Sequence, residues 1–415
     1  MGYMDLGRAR REMRAADLDA LLVLSPRHFY YATGHSSWFL NLYGEPGYGA
    51  AVISANAEQA PGALISDVEE GPFRAAAPEF SNLAIYPVWV AYADVPPITT
   101  GDAHIHLAEY DADQPDERSG QVDVKEATDL LIDLLSQMGL LRARIGIELA
   151  FAAGPVLERL RAALPDCHFV DALPLLQNLR AVKSPQEVGL LRRGTQLAEA
   201  AIRDAMHAVK PGMAAGEIAR RYRAAVFEQA AQVDGPGEVT SARITLRVGP
   251  HVLQPEAAGA YRVQSGDMIF MDCGVAVSDY WADMGRCFVL GNATPVQRQI
   301  YAALRAGFDA ATERLYVGNA PASVFDAGLA AVHHTGMVSY VRGNSGHGVG
   351  LHRAPELPIL SRDETRTLAP GHVISVEFPY YIQGIGAFQI EDTFHLTDEG
   401  RAVFNQLSRE LVAVG

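Results

Sequence analysis

Two aspartates in this chain sit where chemistry is expected. Asp272 closes the apolar run MIFM, and Asp283 follows eleven residues later between YW and CFVL. Both flanks read as strands, and Gly274 with the Ser278-Asp279 pair supplies turn chemistry, so the two carboxylates belong to one β-hairpin. An unpaired carboxylate in a low-dielectric interior either costs several kcal/mol or takes up a proton, so an Asp ending a buried strand calls for a cation or a metal. Taken alone, the pair fits two solvated turn residues better than a metal site. The segment HVISVEFPYYIQGIGAFQIEDTFHL repeats the device: Glu377 ends an apolar strand, and Glu391 follows fourteen residues later in another. Between the two hairpins, SGHGVG presents His347 among small neighbours. Asp272, Asp283, His347, Glu377 and Glu391 are oxygen and nitrogen donors. Four converging carboxylates carry a charge of about −4, which two divalent cations neutralise, and Mn, Co, Zn or Fe suits that donor set.

These residues must be held by ordered elements, and the chain is long enough for two cores at 415 residues. Residues 1–180 alternate helical and strand patterns, among them the helix LGRARREMRAAD near the start, the strands LDALLVL, AAVISANA and RIGIEL, and the helix VKEATDLLIDLLSQMG, which together predict an α/β domain. The boundary falls within residues 179–184. Ser184-Pro185-Gln186-Glu187 is a capping box with Pro at the first helical position, opening a helix that Pro211-Gly212 stops. A second helix is expected over residues 215–231, a third after the capping signal at Thr294, and a fourth over residues 322–334. Residues 181–415 therefore read as an α+β domain in which two helix pairs are each followed by ligand-bearing hairpins.

Composition narrows the function classes. The chain is 49% hydrophobic and 20% charged, as an ordinary globular protein is, and its formal net charge of −15 argues against nucleic acid or an anionic membrane surface as partner. No secretory signal or membrane span is legible, and three cysteines, Cys167, Cys273 and Cys287, fit a reduced cytoplasm better than a disulfide framework. His104 and His106 alternate with apolar residues in a polar stretch and read as solvated rather than metal-binding, while His333 and His334, about 100° apart on a helix, read as capping residues.

The order and context of the five donors resemble the pita-bread metallohydrolases: methionine aminopeptidase, aminopeptidase P, prolidase and creatinase. Asp272 falls in D-x-G, Asp283 in Y-x-x-D-x-x-R, His347 in G-H-G-x-G, Glu377 in V-E-x-P and Glu391 in I-E-D. The N-terminal part is similar to the creatinase-like N-terminal domain, including HFYYATG. The resemblance implies an α/β creatinase-like domain followed by a pita-bread catalytic domain. It also implies two divalent ions, with Mn favoured: Asp272 on one, His347 and Glu377 on the other, and Asp283 and Glu391 bridging. By the same resemblance Glu377 is the general base. A homodimer is implied too, with residues 35–49 as the loop that would cap the partner's site.

The chain departs from the family pattern around that set. His352 in HRAP resembles the histidine of H-E-x-P, but its interval of five residues from His347 is short. A small deletion would align it as a catalytic residue; otherwise the position falls on Ala354. Where peptidases carry a histidine in the G-P-N-x-x-x-P-H context, this chain has GPHVLQPE, which puts Glu256 at that position and displaces His251. Gln389 replaces the Arg that often precedes I-E-D, and Gly285 the Thr of D-x-T-R, so His251, Glu256 and Gln389 are the candidate substrate-binding residues. Three readings remain open: a proline-directed dipeptidase or aminopeptidase acting on short peptides, a hydrolase of a non-peptide C–N bond in a small molecule of the creatine or ectoine type, and a catalytically silent binding protein.

Overall fold

The structure is a computed structural model that describes residues 2–90, 118–252 and 260–415. His104, His106 and Glu256 lie outside the described residues. The chain divides into two compact units, Met1–Leu179 and Arg180–Gly415.

In the first unit, β1 (Ala20–Val23), β2 (Ala50–Ser54), β3 (Gly62–Ser66), β4 (Asn82–Tyr86), β5 (Arg144–Ile147) and β6 (His168–Asp171) form one mixed sheet of order β4-β3-β2-β1-β5-β6. β1, β2 and β3 are buried along their whole length, as strands covered on both faces must be. Leu131, Leu134 and Leu135 of the helix Val124–Gln137, and Val156, Leu157 and Leu160 of the helix Pro155–Ala163, pack with Leu22, Val52, Leu64 and Ile145. Residues 35–49 are not a plain loop. They contain the helix Trp38–Tyr43, opened by Ser37 as N-cap and closed by Gly44 at φ 64°.

The second unit carries β7 (Val239–Val248), β8 (Met268–Val277), β9 (Tyr280–Leu290), β10 (Gly346–Gly348), β11 (Glu356–Ile359), β12 (Val373–Glu377), β13 (Tyr380–Ile382), β14 (Gly386–Phe388), β15 (Glu391–Thr397), β16 (Gly400–Val403) and β17 (Val412–Val414). Its large sheet runs β11-β10-β12-β15-β9-β8-β7, with β16 on β15 and β17 on β9. The capping boxes at Ser184 and Thr294 both form, opening the helices Pro185–Ala208 and Pro295–Glu313, which are followed by Ala215–Gln232 and Pro321–His334. His333 and His334 contact backbone carbonyls of Tyr340 and Ala330, in keeping with a capping role. The β8–β9 hairpin turns at Ser278 and Asp279 alone, at φ 46° and 62°. Gly274 is not a turn residue: it lies inside β8, opposite Asp283.

Residues directly opposite one another on neighbouring strands share a face of the sheet. The register therefore makes one lateral row of Thr245, Asp272, Gly285, Glu391 and Glu377 across β7, β8, β9, β15 and β12. Asp283 lies one step along the same face of β9, and His347 on β10 faces Ser375 on β12.

Arg286 locks this row from behind. Its side chain is 1% exposed, and its guanidinium donates to the carbonyls of Gly285 (2.8 Å), Glu391 (2.6 Å), Leu407 (3.0 Å) and Ser408 (3.1 Å) and to Asp392 Oδ1 (2.5 Å). Asp392 also accepts from Arg409 at 2.6 Å. Strand β9, strand β15 and the C-terminal segment are thus joined through one buried, fully paired cation. Removing one partner of such a pair strands the other charge. Arg286→Met is expected to lower unfolding free energy by about 3–5 kcal/mol in urea titration; a loss below about 1 kcal/mol would show that the clamp is not structural.

Candidate metal centre

The site grows from strand ends and small residues. Asp283, His347 and Glu391 each offer a donor atom, and these atoms all lie within 4.8 Å of one another. His347 Nε2 is 3.9 Å from Asp283 Oδ2. The imidazole Nδ1 sits 3.0 Å from the Gly348 carbonyl, which orients the ring and leaves Nε2 toward the acids. Glu391 is buried and accepts from Ser375 Oγ (2.7 Å) and Gln389 Nε2 (2.6 Å). Asp272 and Glu377 flank this trio on the same face, and each is held by an arginine. Arg243 donates to Asp272 Oδ1 at 2.8 Å and to Asp283 Oδ1 at 2.5 Å; Arg342 donates to Glu377 Oε1 at 2.8 Å.

The electrostatics show a cluster short of positive charge. Burial pushes the Asp283 carboxyl up to about 7, with the Asp272 charge adding to the rise and Arg243 opposing it. Burial, then the charges of Asp283, Glu377 and Asp272, holds Glu391 well above the usual carboxylate range. Asp272 is raised by burial against the pull of Arg243. Burial works against the charge on Arg243 as well, but Asp283 and Asp272 outweigh it. A divalent ion among Asp283, His347 and Glu391 would relieve all these acids together, and two carboxylates with one imidazole are donors that Mn, Co, Zn or Fe accepts.

The remaining candidates fall elsewhere. Gln389 is 1% exposed and packs over Gly285, where a Cβ would come within 2.3 to 2.7 Å of its side chain. It holds Glu391 instead of reaching for a ligand. His251 is exposed, its Nδ1 3.3 Å from Gln383 Nε2. His352 is half-buried in the loop after β10, its backbone N–H donated to Glu356 Oε1 at 2.7 Å. Glu356 is itself buried with Lys183 (3.1 Å) and Arg180, and these two cations outweigh burial to bring its carboxyl down to about 2. His352 is outside the group of mutually close donor atoms, and Ala354 is exposed.

Sequence reading missed the arginines. SARITLRV alternates Ile244, Leu246 and Val248 with Arg243, Thr245 and Arg247, a period-two signal that marks β7 and puts both arginines on one face. The Arg247 guanidinium lies 4.8 Å over the ring of Tyr381, which in turn packs against Phe270 at 5.4 Å. Burial and the nearby charges of Asp272 and Glu377 push the Tyr381 hydroxyl up to about 12.

Residues 189–398 match the model of Metallopeptidase family M24, and residues 6–182 that of the Creatinase/Prolidase N-terminal domain. The chain belongs to metallopeptidase family M24, and its two parts are the creatinase-like α/β domain and the pita-bread α+β domain expected from sequence. It is accordingly a metal-dependent hydrolase of an amide or peptide C–N bond, and divalent metal belongs to its chemistry. A Xaa-Pro dipeptidase of Pyrococcus horikoshii is 25% identical over 268 residues, covering 65% of this chain and 74% of that one. Its counterpart in Pyrococcus furiosus is 26% identical over 238 residues, 57% of this chain and 67% of that one. Among solved structures, a Xaa-Pro dipeptidase from Bacillus anthracis superposes with a TM-score of 0.77 at 18% identity, covering 99% of this chain and 100% of that one. Among the described residues, no helix is long and apolar enough to cross a membrane.

Two predictions follow from the geometry of this cluster. The unfolded value for Asp283 is 3.8, below its folded value of about 7, so the folded state holds the extra proton. That contribution to stability is complete below the unfolded value and is lost as pH rises through about 7. With chelator present, the melting temperature should fall between about pH 5 and pH 8; added Mn2+ should raise it most at the alkaline end, and Asp283→Asn should flatten the chelated profile. A chelated melting temperature independent of pH would contradict the charge imbalance. Separately, Gly285→Ala should cost about 1–3 kcal/mol by overpacking, and Gln389→Ala in the same chain should recover most of that loss in a double-mutant cycle; additive losses would mean that the two residues do not share the space.

Proposed function

We propose that this chain is a Xaa-Pro dipeptidase or aminopeptidase acting on short peptides, with a divalent metal centre on Asp283, His347 and Glu391 flanked by Asp272 and Glu377. The observation that carries this reading is the convergence of these donors on one face of one sheet, in the order found in the family. The names of the relatives support proline-directed specificity. A divalent ion at such a site lowers the pKa of water and polarises a scissile carbonyl. Glu377 is the general base: Arg342 holds its Oε1, fixing the carboxylate at the end of β12 while Oε2 takes a proton and later returns it to the leaving nitrogen. Arg247 stacked on Tyr381, beside Phe270, forms a cationic and aromatic wall suited to the carboxylate end and ring of a short peptide. The carboxylate-rich donor set favours Mn over softer ions.

A second reading, hydrolysis of a non-peptide C–N bond in a small molecule, draws on one specific observation. Gln389, standing where many proline-specific members have Arg, is buried and spent on Glu391. The loss of that grip narrows what the pocket can recognise. The third reading from sequence, a catalytically silent protein, does not fit a member of a metallopeptidase family, and the complete donor set would be a cost without metal chemistry.

We further propose a homodimer in a reducing cytoplasm. Its supports are the large side chains of Trp38 and Leu42, 55% and 56% exposed within residues 35–49, and three free cysteines.

The test is turnover of Mn-loaded protein on X-Pro dipeptides, longer X-Pro peptides, creatine and ectoine, with Glu377→Gln as the comparison. Cleavage of X-Pro bonds is expected, with kcat lowered about 10²–10⁴-fold in the variant and the Mn-dependent rise in melting temperature retained. Turnover of creatine or ectoine alone would move the assignment to the second reading.

A further inference from the structure

Arg243 reaches its two acids because of a gap in the sheet. On β7 it faces Gly274 of β8, and Gly274 in turn faces Asp283 of β9. With no side chain at Gly274, the arginine lies flat across that strand; a Cβ there would meet Arg243 Nε at 3.1 Å and Cγ at 3.2 Å. Its fork then spans Asp272 Oδ1 and Asp283 Oδ1 at 2.8 and 2.5 Å. These are the two aspartates between which the family resemblance expects a metal ion. A guanidinium stays charged at any working pH, and its planar fork fits two carboxylate oxygens better than a point charge would.

Two further observations agree. Among the described residues, the donor atoms that lie mutually close are those of Asp283, His347 and Glu391, a group that leaves out both Asp272, held by Arg243, and Glu377, held by Arg342. Charge leads to the same place: Asp272, Asp283 and Glu377 are paired with two guanidinium groups, Arg243 and Arg342, while Glu391 accepts from the neutral Ser375 and Gln389; with all four carboxylates ionised two negative charges remain, which one divalent ion neutralises. A second divalent ion would have to sit against the Arg243 cation.

We propose that this chain holds one divalent ion, on Asp283, His347 and Glu391, and that Arg243 supplies the fixed positive charge between Asp272 and Asp283 in place of the second ion. This rests on the metal-centre reading of the same residues. Arg243 acts here as a positioning residue: it keeps Asp283 aimed at the remaining ion and occupies the Asp272 side of the site.

The experiment is Mn2+ titration of the full chain by calorimetry, with bound Mn counted by elemental analysis and its environment read by electron paramagnetic resonance. The parent is expected to bind one Mn per chain and to give an uncoupled, mononuclear spectrum. Arg243→Met is expected to take up a second Mn and to show spin coupling between the two, with circular dichroism confirming that it is folded. Two ions in the parent, or an Arg243→Met chain that is folded and still stops at one, would overturn the proposal. His347→Ala separates this from the underlying reading. Loss of the single ion in that variant supports the metal centre, whereas a parent that binds no Mn, or a His347→Ala chain that binds as the parent does, would sink the centre itself and the one-ion proposal with it.

Discussion

Confining like charges is the constraint on which the second unit depends. Asp272, Asp283, Glu377 and Glu391 share one face of one sheet, and burial with mutual repulsion raises three of them above the ordinary carboxylate range. Such an arrangement persists only if something positive stands among the acids and the backbone beneath cannot move to separate them. The Arg243 fork and the Arg342 contact supply part of the first condition. Metal chemistry supplies the rest.

The second condition is met from behind the sheet. Arg286 joins the carbonyls of Gly285 and Glu391 to Asp392, so two strands of the row are held through a cation that never faces the site. The motif residues around the donors are therefore of two kinds. The Arg of Y-x-x-D-x-x-R and the Asp of I-E-D are partners of each other, and they hold in place the strands that carry Asp283 and Glu391. Separation of duties explains how the surroundings of the site can change while its frame persists. Gly285 and Gln389 form one such change, a side chain withdrawn on β9 and another folded into the space just before β15. Arg243 over Gly274, the glycine of D-x-G, stands on the opposite side of the aspartates.

Both features set the charge and shape of the surroundings of the acids. An arginine ahead of Glu391 would offer a bidentate grip on a carboxylate, whereas Gln389 is buried beneath the site. Cationic character instead enters from β7 through Arg243 and Arg247 and from the segment before β10 through Arg342. The hydrolytic chemistry belongs to the acids, and the arginines set the charge around them.

Much of this was legible in the sequence because it is local. Strand-ending acids, a histidine among glycines, two capping boxes and Pro-Gly stops each depend on neighbours within a few residues, and their order along the chain carried the family resemblance. Local reading erred where a residue type has two uses: Gly274 has turn chemistry, yet it lies inside β8 as the space across which Arg243 runs. It also missed β7, although the alternation of SARITLRV is clean. Which charges meet is a matter of register between strands distant in sequence, and a slip of one residue would turn every such side chain to the other face. The donor set and the chemistry it can perform were thus determined by the sequence through types and spacing. The pairing of Arg243 with Asp272 and Asp283, the burial of Gln389 on Glu391 and the clamp of Arg286 were decided only by the tertiary structure, because those distances exist only after the strands have paired.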